Sequence, residues 1–521
     1  MTRRLRTRGL LAAPLAVGLA AAAGCTDRLT EEPKNFITTG QFYQTPADIA
    51  TATYAAYDPT FGAYSFWYPI LLDMASDQVQ VHPDEPNFQT YQPGLLLWTS
   101  TASSTNSPWG DFFRAIFRAN VAIDAAAKVQ YPSTLDASIP TQTQAIAEAK
   151  FIRAYAYLQL TKGYDDVPLL LTPEDNASAV GKPRTPVEDV HQQIIKDLND
   201  AEAGLPDTPP GDGRASKAAA QMALADLYVW RSSFLKKNEW AMASAAAKRV
   251  IDSGNWQLMT DYLQPFLPTV KGYPANKESI WQVAVSGVNG ASGFNTFCLF
   301  LPRSLGFGSA GGCEVIGEPT LWMYQSFPKT ISGSDTTWDY RHDVTYRTKG
   351  CSTNASIGCI TLYNKYGPWP NVNKYRPTNR GVGGPTDNDY PLYRYSEALL
   401  FYAEAQYELG NTSEAASAIN QIRARARQGT GSENRAEPRP VTTVNRDTIF
   451  MERNWELGHE SKRWYDLVRR DSEDPGYFAA EIAAHDPETV TRGDVKPFRK
   501  RFPIPANEIQ LNPALTQNPG Y

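Results

Sequence analysis

Histidine and cysteine are both scarce, five of each in 521 residues, and this removes most routes to a metal centre or a nucleophilic dyad. The histidines (His82, His191, His342, His459 and His485) are scattered, and none falls into HExxH or another helical ligand pair. No GxSxG nucleophile elbow occurs. Gly306 to Gly311 fits GxGxxG, but it lacks the flanking strand and helix of a dinucleotide fold and reads as a flexible loop. Positive charge is also lacking. The formal net charge is -5, and the first 24 residues hold four arginines and no acid, so the remainder carries -9, the wrong sign for nucleic acid. A glycosidase needs only two carboxylates, and Asp73, Asp77, Asp84 and Glu85 are available. Their expected role is to bond hydroxyls or hold a loop.

No apolar run reaches the length of a spanning helix. The run Leu10 to Ala23 follows Arg3, Arg4, Arg6 and Arg8, is short and Ala-rich, and reads as a signal peptide over residues 1–24. It ends in Ala22-Ala23-Gly24-Cys25, the pattern after which a bacterial lipoprotein signal peptidase cuts, leaving Cys25 to carry acyl chains as a membrane anchor. Export makes disulfides permissible for the other four cysteines. Local pairing, Cys298 with Cys313 and Cys351 with Cys359, is the expectation among three connectivities. A four-thiolate metal site is the alternative, but no pair has the two-residue gap of a zinc knuckle.

What the chain does have is helical period and aromatic rings. Pro391 to Arg427 reads as a helical hairpin: Leu399, Tyr402, Ala403 and Tyr407 share a face, Gly410-Asn411 leaves the helix through a left-handed turn, and Thr412 can cap a second helix. Ala415, Ala418, Ile419 and Ile422 line its inner stripe. The same grammar recurs, degenerately, at 216–235 and 239–252, the pattern of a tetratricopeptide-type repeat. Other helices are expected over 48–57, from Ser107-Pro108, over 143–162, after a capping box at Thr185 to Glu188, and over 445–470. Period is lost over 61–109 and 254–389, apart from a strand at 279–285 and a short helix at 319–327. The chain thus reads as mainly α: a tether over 25–45, then one domain over 46–521 with those two stretches as long irregular insertions. Aromatics reach 12%, more than a helical core needs. Flat rings in polar loops stack on the apolar faces of sugars, which makes Trp67, Phe88, Tyr91, Trp98, Phe297, Trp322 and Trp369 the candidate ligand residues.

The motifs resemble those of the SusD/RagB family of surface lipoproteins. The likeness rests on Leu29-Thr30-Glu31-Glu32-Pro33, Glu148 to Tyr155 with Gly163-Tyr164 and Val167-Pro168-Leu169, and Tyr390 to Glu404. It continues through Glu452 to Leu457, Arg463 to Leu467, Pro503-Ile504-Pro505 and Gln517 to Tyr521. His459-Glu460-Ser461 departs from the usual Phe-Glu-Gly-like segment. The resemblance implies a right-handed scaffold of tetratricopeptide-like hairpins that packs on a TonB-dependent outer-membrane transporter and binds a nutrient without catalysis, cofactor or metal. The aromatic loops favour a glycan. The alternative is a peptide, and a glycoside hydrolase is more remote. The matched motifs themselves read as fold-holding ion pairs.

Cys25→Ala should release a folded protein from the membrane; a variant that still sediments with outer membranes in cells lacking a partner transporter would show that the anchor lies elsewhere.

Overall fold

The computed structural model describes residues 42–82, 91–285, 316–351, 359–361, 363–364, 367–375, 388–429 and 434–521. Cys25 and the expected signal peptide, Asp84, Glu85, Phe88, Phe297, Cys298, Cys313 and the glycine-rich 306–311 lie outside these residues.

Four pairs of helices follow one another along the chain. The first joins α1 (Pro46–Ser65) with α3 (Ser103–Lys128), with the short α2 (Trp67–Met74) between them. The others are α4 (Gln142–Tyr164) with α5 (Val187–Gly204), α6 (Lys217–Ser233) with α7 (Trp240–Asp252), and α9 (Tyr395–Glu408) with α10 (Thr412–Arg427). Helix α8 (Leu321–Ser326) belongs to the segment between the last two pairs. Each pair also packs on the next, through α3 on α4, α5 on α6 and α7 on α9, so that small faces meet: Ala219, Ala223, Ala243, Ala247, Ala398, Ala403 and Ala415 are all fully buried. The fold is therefore mainly helical, as its period predicts. Gly410 makes the turn between α9 and α10 at φ +85°, a conformation that glycine adopts without steric cost.

Several local expectations need correction. The 61–109 stretch is not one loop: α1 runs to Ser65, α2 follows at once, and α3 starts at Ser103 with Pro108 inside it. Burial overrides the weak local pattern, since Tyr64, Tyr68, Leu71 and Leu72 face the core. The capping box at Thr185 is not formed; Asp166 Oδ1 instead accepts the Val187 amide at 2.7 Å. Asn411 rather than Thr412 occupies the cap of α10. Residues 390–394 form a strand, β6 (Tyr390–Arg394), antiparallel to β2 (Ser279–Val283). The expected helix at 445–470 is two, α11 (Arg446–Glu456) and α12 (Arg463–Glu473). In the first insertion β1 (Val79–Val81) pairs with β3 (Gly317–Pro319) of the second, and within the second β4 (Lys349–Cys351) pairs with β5 (Cys359–Thr361), in a register that sets Cys351 opposite Cys359.

The motif residues do hold the fold. Glu148 accepts both the Arg214 guanidinium (2.5 and 3.1 Å) and the Tyr57 hydroxyl (2.9 Å), while Arg153 grips Asp197 through two 2.8 Å bonds. Gly163 has no room for a Cβ, which would meet the Phe502 ring at 2.8 Å. His191 is buried against Thr161 (3.1 Å), a structural residue. At the junction of β2, β6, α10, α11 and the loop after α11, ten buried charges form one network. Arg341, Lys374, Arg394, Arg423 and Arg425 face Glu278, Asp339, Glu452, Glu456 and Glu460. Burial alone would raise the Glu456 carboxyl, but Arg425 (2.5 Å), Arg394 (3.1 Å) and Arg341 (3.1 Å) hold it well below the ordinary range. Removing one partner strands buried cations, which costs about 3–5 kcal/mol. Glu456→Gln should therefore lower the unfolding free energy by that order and the denaturant midpoint with it, and an unchanged midpoint would show that the network is not stabilising the fold.

Candidate functional site: an aromatic cluster on a second core

The main hydrophobic core contains residues from Ala52 to Leu515. A separate small core gathers Ile70, Met74, Val79, Val81, Leu95, Ile316, Met323, Phe327, Tyr346 and Val372 around the β1–β3 ladder. The ladder is locked from both ends. Thr320, just past β3, donates its hydroxyl to the Asp77 carbonyl (2.7 Å) and its amide to the Gln78 carbonyl (3.0 Å), while its Oγ1 caps α8 by accepting the Met323 amide (3.2 Å). This fixes the direction of α8 and so the position of Trp322.

Trp322 lies flat on the imidazole of His485, with centroids 3.7 Å apart and planes 12° apart. His485 ends helix α13 (Tyr477–His485) and places Nδ1 3.1 Å from Asp77 Oδ2 and 3.6 Å from Glu481. Arg463, at the start of α12, forks onto Asp77 (2.8 and 2.7 Å), reaches Glu481 (3.2 Å), and sits 5.7 Å from the Trp322 ring centroid. Burial would raise the Asp77 carboxyl; the Arg463 charge and hydrogen bonds, with His485, bring it down to about 2. Asp77, Glu481 and His485 are ligand-type groups within 4.8 Å of one another, but the guanidinium already supplies the cation between them. The cluster is a rigid, charge-balanced backing for an aromatic surface.

Other sequence candidates converge on the same place. Trp67 and Tyr91 pack, half-buried, against the second core, Tyr91 beside the Arg492 guanidinium (5.8 Å). Trp369 donates its indole N–H to the Pro319 carbonyl of β3 (3.0 Å). Trp98 does not join them. It is fully buried in the main core, its N–H on the Tyr521 hydroxyl (2.6 Å) and its ring edge-on to Phe502 (5.5 Å), so its place in the ligand set is withdrawn. Of the four carboxylates available for hydrolysis, the two that are described, Asp73 and Asp77, are committed inward. Asp73 accepts the Ser461 amide (2.8 Å), and burial pushes its carboxyl up to about 7, while Asp77 serves Arg463. Sequence reasoning missed Arg463, Glu481 and His485, whose α12 and α13 positions lie far from Asp77 along the chain. It also missed a second stack, Trp338 on His342 (4.1 Å, 12°) with Tyr324 beside it (4.6 Å). A tryptophan four residues before a histidine was the only signal for that one.

A helical-repeat scaffold that carries an irregular aromatic face defines a binding protein class rather than a particular chemistry. The comparisons with known proteins name the family. Residues 277–521 match the family model described as SusD family, and residues 41–229 match one described as Starch-binding associating with outer membrane. SusD-like protein P2 of Formosa agariphila is 26% identical, covering 96% of this chain and 98% of its own length. Starch-binding protein SusD of Bacteroides thetaiotaomicron is 26% identical over 72% of each chain. A solved structure titled Laminarin binding SusD-like protein aligns with a TM-score of 0.72 at 22% identity, covering 92% of this chain and 100% of that one. The chain belongs to the SusD/RagB family.

The two tryptophans should now separate by experiment. Trp98→Ala should cost about 3–5 kcal/mol of stability, the range for emptying a buried aromatic site. Trp322→Ala should leave the melting temperature nearly unchanged; the reverse order in thermal denaturation would show that the two rings have been assigned to the wrong environments.

Proposed function

We propose that the mature protein is a lipoprotein of the outer membrane, anchored through Cys25 on the extracellular face, that binds a glycan and hands it to a TonB-dependent transporter. The observation that carries the reading is the convergence of Trp67, Tyr91, Trp322 and Trp369 on the β1–β3 ladder, with His485 stacked under the Trp322 ring and held by Glu481. An indole face covers the C–H face of a pyranose, and neighbouring polar groups take the hydroxyls. Family membership supports it, since relatives carry names for starch and laminarin binding. Binding rather than cleavage is proposed, because Asp73 and Asp77 are spent on internal partners.

Calorimetry with starch and laminarin oligosaccharides and with a peptide pool tests the reading. Trp322→Ala should remove on the order of 1–3 kcal/mol of stacking and burial, weakening glycan binding tenfold or more. Tight peptide binding with no glycan binding would replace the ligand class, and release of reducing sugar would replace binding by hydrolysis.

A further inference from the structure

A second cleft, of about 390 Å³, opens between α1, the turn before α6 and strand β2. It shares no residue with the Trp322 cluster. Tyr54, 39% exposed, forms one wall, and its ring is backed by the Arg214 guanidinium 4.5 Å from the centroid. That guanidinium is tied to Glu148, so the ring is held in place and its supporting cation is neutralised. Trp281 forms the floor; its N–H is spent on the Gly213 carbonyl (3.0 Å), and its ring is wedged edge-on against Phe151 and Tyr155. Asp58 is paired with Arg118 (2.7 Å), which leaves the Asp212 carboxylate as the net charge of the cleft lining.

Two polar groups have capacity to spare. The Asp212 carboxylate is exposed and is oriented by the Gln282 amide, which donates to Oδ1 (2.7 Å). The Thr60 hydroxyl, 97% buried in the wall, has no hydrogen-bond partner among the described residues. A buried hydroxyl without a partner is costly, and a small shift of the wall that let a ligand hydroxyl reach it would repay the cost. An aromatic wall, a single fixed carboxylate acceptor and an unsatisfied hydroxyl in the wall are the chemistry for a neutral polyhydroxylated ring. The volume lies at the small end of ligand pockets, ~300–1,000 Å³, which suits one or two sugar units rather than an extended chain.

We infer that this cleft is a second, short-saccharide site, separate from the face around Trp322; the inference rests on the glycan reading above for its ligand class. Disaccharide binding is measured by NMR titration of the full mature chain with maltose and laminaribiose, in the Trp322→Ala background so that the other face is disabled. Binding should persist there and fall at least tenfold on adding Tyr54→Ala or Asp212→Asn, both surface changes, with Thr60→Val weakening it less. Loss of all disaccharide binding in Trp322→Ala alone, or no effect of Tyr54→Ala and Asp212→Asn, overturns the inference. Wild type that binds long glycans but neither disaccharide defeats the cleft and leaves the main reading standing. Failure to bind any saccharide defeats both. Choline bound in a Tyr54-dependent way without either sugar would make the cleft a cation site and overturn the inference as well.

Discussion

Ten charges closed off from water in one neutral network are the constraint on which the rest of this molecule depends. Each ion loses several kcal/mol of hydration on burial, so the arrangement survives only where nearly every cation meets an acid in good geometry. That condition fixes how β2, β6, α10, α11 and the segment after α11 sit against one another, since Arg394 alone reaches Glu278, Glu456 and Glu460. The helical pairs, with their alanine faces, could slide by a small rotation at little cost. The charges cannot, because any displacement strands them.

From this anchor the aromatic face inherits its precision. Lys374 bonds the carbonyls of Glu456 and Gly458, and His459 and Ser461 then take partners on Gln78 and Asp73, so the loop after α11 is pinned to the chain just before β1. Two residues further on, Arg463 engages Asp77 and through it His485 and Trp322. Rigid support at a stacking site matters because a ring already held in place loses little entropy on binding.

Much of the scaffold was legible in the sequence because helical period is a local signal. Gly410 and the alanine stripes behave in the fold as their spacing implies, whereas the motif acids and arginines pair across elements rather than along their own helices. What was illegible was contextual. Tyr64, Tyr68 and Trp98 lie in a stretch without period, yet the core claims all three. Composition there looks like a decorated loop, and only distant partners such as Phe502 and Tyr465 reveal otherwise. The site was half legible. Aromatic residues in the irregular stretches pointed to Trp67, Tyr91, Trp322 and Trp369, whereas Asp77, Arg463 and His485 are brought together across hundreds of residues by ion pairing that no spacing rule encodes.

The ladder that organises the aromatic face is made of three residues from each end of the chain's longest excursion, and its two strands fall in the segments matched by different family models. Neither segment owns the face. An exchange of one segment between two relatives would set α7, which lies outside both, against a foreign α6 or α9, and would mate a Gln80 with a stranger in place of Glu318, its present partner at 2.8 Å. The ladder is thus a property of the matched pair of segments, and a change at Gln80 is expected to be answered by one at Glu318.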